Sequence, residues 1–350
     1  MSIKLVWDLG AGYDMFMSLD ALYHPEEFEL RGAWAAGVRS RLPTTERETL
    51  QQAHLFYKGP LYWVYTLPAP KDGKTVLKVL GEMSPAERLR ALIFYPGMPA
   101  NVKDVLEEVA ARQSWNEKDQ RVIRTAYQPE RISPKGAANL LEMWVKRQEF
   151  GERYLAALRA YYEVFFAEEE DRIRPALHRA LSRAQEMAQR LEVPELLGEL
   201  SEGFHFAEAL QLSELILAPS FWITPLVAYI NLPQKRMLFV FGGRPPDASI
   251  VPGEMIPDAL FRPLKALADP TRLRILRHLT AEPLTPAQLA RRLRLRAPTV
   301  IHHLRTLRLA GLVHLTLEAG KKVHYTVRSE AVTHMAANLK DFLEKDAAPD

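Results

Sequence analysis

Between Arg291 and Arg305 the sequence RRLRLRAPTVIHHLR carries five arginines and two histidines, and a lysine pair, Lys321 and Lys322, follows closely. Guanidinium forks and ammonium groups suit phosphate oxygens, whereas a hydroxyl, a methyl surface and ring nitrogens near a helix start suit the edges of bases. Arg291, Arg292, Arg294, Lys321 and Lys322 are therefore the candidates for phosphate contacts. Thr299, Ile301, His302 and Arg305 are the candidates for reading bases, and Arg296 is a further DNA-binding candidate. The wider charge pattern agrees with this chemistry. Residues 258–330 hold 14 basic and 5 acidic residues, whereas residues 1–257 hold 30 basic and 34 acidic ones. So polarised a charge is the electrostatic footprint of a nucleic-acid-binding module, the bland alternative being a solvated basic surface.

Such side chains need elements to present them, and the local signals are dense. Asp269-Pro270 is a cap followed by a first-turn proline, which starts a helix running to about Thr280 with Leu273, Ile275, Leu276 and Leu279 as its apolar face. Thr285-Pro286 repeats the device for a short helix, Ala287 to Leu293. A third helix, Pro298 to Ala310, turns Val300, Leu304 and Leu307 inward at i, i+4 and i+7, and Gly311 takes the left-handed position that ends it. This is the helix-turn-helix layout. VHLTLE, the Ala319-Gly320 turn and KKVHYTVR then read as a β-wing. A last amphipathic helix, Glu330 to Glu344, carries Val332, Met335, Leu339, Phe342 and Leu343 on one side, a face for a dimer partner to cover.

LKALADPTRLRILRHL, LTPAQLARRLRLRAPTVIHHLRTLRLAGLV and EAGKKVHYTV, in this order and spacing, closely resemble the winged-helix regulators of the arsenic-repressor (ArsR) type over roughly residues 259–345. The resemblance implies a homodimer joined through its first and last helices, bound to an inverted-repeat operator in double-stranded DNA, that represses or activates transcription. ELILAPSFWITPLVAYI and MLFVFGGRP resemble, more loosely, the subset in which the winged helix follows a long N-terminal domain. Several departures are visible. Arg296 and Ala297 stand where the family usually has Ser and Gln, which weakens the helix cap, and Ile301 stands where a small hydroxyl residue is frequent. The cysteines with which many members sense metals before the recognition helix are absent from LTPAQLARRL. Of a second, His/carboxylate arrangement on the final helix only His334, Asp341 and Glu344 have counterparts. No metal site is expected.

The rest of the chain bounds the reading. Its 350 residues allow two or three domains, and the absence of cysteine excludes disulfides, thiolate nucleophiles and Cys-based metal sites. No apolar run has the length of a membrane span, and MSIKLVWDLG lacks the pattern of a secretory signal, so a cytoplasmic protein without membrane contact is expected. FGGRPPDASIVPGEMIP is too rich in Gly and Pro for a helix or central strand. The expected organisation is a domain at 1–243, a linker at 244–257 and a winged helix-turn-helix at 258–350. The expected fold class is mainly α with small β elements, the N-terminal domain being helical with a small antiparallel sheet that includes a hairpin around PQKR. The acidic run Glu168 to Asp171 reads as a solvated helix start.

All six tryptophans and eleven of the twelve tyrosines precede residue 257. They either build a core or line an apolar pocket for a small-molecule effector, with Trp63, Tyr65, Trp115, Trp144, Tyr161, Tyr162 and Trp222 as the candidates. KLVWDLGAGYD resembles the first motif of S-adenosylmethionine-dependent methyltransferases, with Gly10 and Gly12 in place and Asp14 where a third glycine is wanted; the alternative is a plain strand-to-helix turn. His24, His54, His178 and His205 form no metal or triad spacing, so no catalytic residue and no cofactor are expected. A non-sensing architectural DNA binder is the remaining alternative.

Overall fold

A computed structural model describes residues 3–28, 30–53, 58–126, 132–201, 204–206, 211–254, 256–317 and 323–344. The chain opens with strand β1 (Lys4–Trp7), followed by helices α1 (Gly12–Tyr23), α2 (Gly32–Ser40), α3 (Thr44–Ala53) and α4 (Lys58–Thr66). Next come α5 (Gly73–Glu82), α6 (Pro85–Ile93), α7 (Ala100–Arg112), α8 (Glu117–Ala126) and α9 (Pro134–Val145). α10 (Arg147–Tyr161) runs through a π-helical turn at Tyr162–Phe166 into α11 (Ala167–Ala188), and α12 (Val193–Leu200) follows. These helices bury a large apolar cluster, in which Trp144, Tyr161, Phe166 and Trp222 are essentially inaccessible, and α11 and α12 bury a smaller one against the sheet. Trp222 stacks on Trp34 at 6.0 Å and meets Phe165 edge-on. Trp63 is buried as well, while Tyr65, Trp115 and Tyr162 pack partly exposed against the same cluster. Of the two roles open to these aromatics, most fill the core.

The acidic run is not a solvated helix start. Because α10 continues into α11, residues 168–171 lie mid-helix, and the face carrying Glu169 and Glu170 turns inward, each only 2 % exposed. Hydrogen-bond partners, near and distant in sequence, offset the cost of burying them. Glu169 accepts from Arg172 at 2.6 and 2.7 Å and from the Trp222 indole at 2.8 Å. Glu170 accepts from the Gly73 amide at 3.1 Å. Asp14, fully buried on α1, belongs to the same interior. Its Oδ1 accepts from the Ser220 hydroxyl (2.7 Å) and the Trp222 amide (2.8 Å), whereas its Oδ2 has no hydrogen-bond partner among the described residues. Burial raises its carboxyl to about 7, against the lowering effect of those hydrogen bonds.

The sheet of this region is mixed rather than antiparallel. β3 (Glu214–Ser220), β4 (Ala228–Leu232) and β5 (Arg236–Gly242) include the expected hairpin, β4 antiparallel to β5, but β1 and β5 both run parallel to β3 in the order β1-β3-β5-β4. A parallel neighbour needs a crossover. Here that crossover is the whole helical stretch between residues 8 and 213, a pairing that local alternation cannot signal. Pro219 lies past the last residue of β3 that pairs with β1, so its missing N–H costs no ladder bond there.

The turn after β1 is filled by the chain itself. A Cβ on Gly10 would fall 2.3 Å from the Lys71 Cβ, and Gly12 donates its amide to the Lys71 carbonyl at 2.8 Å. The Lys71 ammonium closes the turn on Asp8 at 2.7 Å. The two glycines thus serve the close approach of a neighbouring segment, as in the plain-turn reading.

The described residues of 243–257 form no helix or strand, yet Arg244, Ser249 and Ile250 are buried, so this Gly/Pro-rich stretch is packed down. Beyond it lie α13 (Asp258–Leu267), α14 (Pro270–Ala281), α15 (Pro286–Leu293), α16 (Ala297–Leu309), the strands β6 (Val313–Leu317) and β7 (Val323–Val327), and α17 (Ser329–Glu344). They enclose a second core of Ile275, Leu276, Leu279, Leu289, Leu293, Val300, Leu304 and Leu307. Leu273, expected on that face, is 49 % exposed, because it sits off the stripe made by Ile275, Leu276 and Leu279. The hairpin gains two neighbours that alternation does not announce. Leu284 bridges to Tyr325, and a strand from upstream, β2 (Phe204–Phe206), pairs in parallel with β6.

Candidate nucleic-acid interface

α14 and α15 are each started by the capping residue that the sequence offers for it. Asp269 Oδ1 accepts from the amides of Thr271 (2.8 Å) and Arg272 (2.9 Å), bonds that hold its carboxyl below the ordinary value. Thr285 and Gln288 form a reciprocal capping box at 3.2 and 2.7 Å. α15 then ends at Arg294, whose φ of 55° turns the chain left-handed into the next helix. α16 begins at Arg296 with no side-chain cap, as the departure from Ser implies, and leaves its first amides open at the protein surface. At its far end Gly311 adopts a φ of 68°, the left-handed stop expected of it.

On α16, Val300, Leu304 and Leu307 are inaccessible while Thr299, Ile301 and His302 are exposed, Ile301 by 52 %. Arg291, Arg292, Arg294 and Arg296 are exposed around the start of this helix. The structure therefore leaves seven of the ten candidates exposed on or beside the start of α16. Arg292 shares its charge with Glu282 at 2.7 Å. Arg305, also outward, is engaged elsewhere, 3.2 Å from Glu27 in the short 3-10 turn Pro25–Glu27. Lys321, Lys322 and the Ala319-Gly320 turn lie outside the described residues; the strands that lead to them pair Leu317 with Val323.

The outward face changes character along the helix. Leu309, four residues after Arg305, is only 5 % exposed although it belongs to none of the apolar clusters. The first two turns of α16 are open and the last turn is covered. Two further side chains shape the local charge. His303 is partly buried beside His302, and desolvation lowers its affinity for a proton. Burial also lowers that of Arg308, next to Tyr325. The Arg305–Glu27 pair has no signal in the sequence, because Glu27 comes from an element far away in the chain.

A helix-turn-helix domain model matches residues 267–316, which span α14, α15, α16 and most of β6. The chain is also similar to the HTH-type transcriptional regulator CmtR of Mycobacterium bovis, with 42% identity over 97 residues, 28% of this chain and 79% of the relative. The proteins of that name from two strains of Mycobacterium tuberculosis match to the same extent. Among the described residues no helix is long and apolar enough to cross a membrane. With a helix-turn-helix core, an open recognition helix and this degree of identity across most of a known regulator, the chain belongs to the family of HTH-type, DNA-binding transcriptional regulators.

Proposed function

We propose that the chain is a winged-helix regulator of the arsenic-repressor type, acting in the cytoplasm as a homodimer on an inverted-repeat operator. The observation that carries this reading is the division of α16: three inward side chains are sealed while Thr299, Ile301 and His302 are exposed, next in sequence to the exposed Arg291, Arg292, Arg294 and Arg296. A helix inserted in a major groove reads bases from its N-terminal residues while surrounding cations neutralise phosphates, and two-fold symmetry places two such helices about one DNA turn apart. The dimer reading is supported by apolar side chains left open on α13 and α17, which pack together. Phe261 is 42 %, Leu264 37 %, Val332 43 % and Leu343 71 % exposed, and α17 buries none of its residues in the single chain. Residues 1–243 form the regulatory part and residues 258–350 the DNA-reading part, joined by the packed stretch 244–257.

Selection of genomic fragments with the purified protein, followed by salt titration of the best fragment, tests the reading. A palindromic site is expected, bound far more tightly than random DNA at the same salt concentration. Lys321→Ala with Lys322→Ala should flatten the slope of log K against log salt by up to about 0.9 for each lost phosphate contact. Equal affinity for all fragments refutes sequence-specific regulation and leaves an architectural binder.

A further inference from the structure

A cavity of about 560 Å3 opens where the two cores meet. Its walls are α11, the stretch after β5, α13, the end of α16 and the start of α17, so it is built by both halves of the molecule and lies behind the covered last turn of the recognition helix. Leu309 of that turn lines it. The charge of this cavity is unusual. Arg179, Arg183, Arg244, Arg262 and Arg328 all line it, against two carboxylates, Glu199 and Asp258. The side chains of Arg244 and Arg262 are 3 % and 6 % exposed and share Asp258, at 3.2 and 3.5 Å. Arg328 pairs with Glu330, which lies outside the lining, at 3.1 Å. Arg179 and Arg183 stand one turn apart on α11, and among the described residues neither takes part in an ion pair.

Two like charges at i and i+4 destabilise a helix, and an anion held between Arg179 and Arg183 offsets that repulsion. The lining carries more arginines than its carboxylates balance. Between the charges the surface is apolar, with Ala176, Ala180 and Met187 on α11 and Met335 on α17. We propose that this cavity binds a small organic anion, a carboxylate or phosphate monoester with an apolar body. Its charged group is held by the forks of Arg179, Arg183 and Arg244, and its body lies against α11. Because both cores contribute walls, an occupant bridges them. Its use as a regulatory signal rests on the DNA-binding reading, but its binding does not.

The test is therefore made without DNA, on the full chain, by equilibrium dialysis with 1-naphthyl phosphate, 1-naphthoate and the neutral 1-naphthol. Saturable binding of one anion per chain is expected, at least about tenfold tighter than that of 1-naphthol. The preferred anion distinguishes a phosphate from a carboxylate ligand. Arg179→Glu combined with Arg183→Glu, both exposed positions, should weaken the anion at least about tenfold with the melting temperature retained; Arg244→Lys, which keeps the charge and loses the fork, should weaken it less. The proposal is overturned if 1-naphthol binds as well as the anions, if the double variant binds them unchanged, or if neither anion binds saturably up to about 10 mM. It is also overturned if the double variant loses affinity for random DNA while keeping the probe, since the arginines would then serve nucleic-acid phosphates.

Discussion

Replacing Asp14 by Asn should make the protein more stable at pH 8 than at pH 4, relative to wild type, by an amount that follows from where the carboxyl sits. In the folded chain its proton affinity is raised from the ordinary 3.8 to about 7. The folded state therefore holds a proton that the unfolded state has lost between these values, so wild-type stability falls as pH rises from about 4 to about 7. At about 1.4 kcal/mol per pH unit the loss is about 4 kcal/mol. Asparagine keeps the acceptor for Ser220 and Trp222 and never ionises. Its amide adds a buried donor at the position of Oδ2 and costs about 1–3 kcal/mol, but protonated Asp14 carries a donor there too, so much of this cancels in the comparison between pH values. The assay is urea unfolding of both proteins at pH 4, 6 and 8, followed by fluorescence, since the buried Trp222 reports on this site. A stability difference that stays constant from pH 4 to pH 8 would refute the reasoning, as would a variant that loses stability with rising pH as steeply as wild type.

Asp269→Ala removes the cap of α14 and should cost about 1 kcal/mol near neutral pH; because its carboxyl is held below the ordinary value, the deficit should shrink as pH falls through that range, as unfolding at pH 7 and pH 3 would show. Glu27→Gln releases Arg305, and since an exposed ion pair is worth about 0–1 kcal/mol, affinity for the selected operator should rise by no more than about fivefold in an anisotropy titration; a fall would place Glu27 on the DNA side of the contact. His302→Ala should lower the ratio of specific to non-specific affinity with little change in the salt slope, because a base contact and not a phosphate is lost. Val332→Asp with Leu343→Asp should yield a monomer in sedimentation velocity, and a dimer that persists would remove α17 from the subunit interface.

Much of the candidate interface was legible in the sequence because its signals are local. A cap acts on amides two or three residues away, so Asp269 and the Thr285–Gln288 box announce their helices. The inward face of α16 is a matter of period, and Val300, Leu304 and Leu307 mark it. Gly311 follows from the cost of a left-handed turn for any residue with a Cβ. The wing hairpin and the hairpin of β4 and β5 are likewise pairings between neighbours in the chain.

The failures share one cause, which is that the deciding partner lies far along the chain. Nothing near Glu169 indicates that Trp222 will meet it, and nothing near Arg305 indicates Glu27. The parallel pairing of β1 with β3 depends on how a long series of helices closes, as does the placement of β2 beside β6. The arginines of the junction cavity were individually visible, but α11, residue 244 and α17 converge only once both cores have packed. From residue order alone came the helix-turn-helix, the caps of α14 and α15 and the inward face of α16, since those interactions operate within a few positions. Tertiary structure decided which charges are buried, which end of the recognition helix is open and where a ligand has room, because each of these depends on surfaces that meet only in the folded chain.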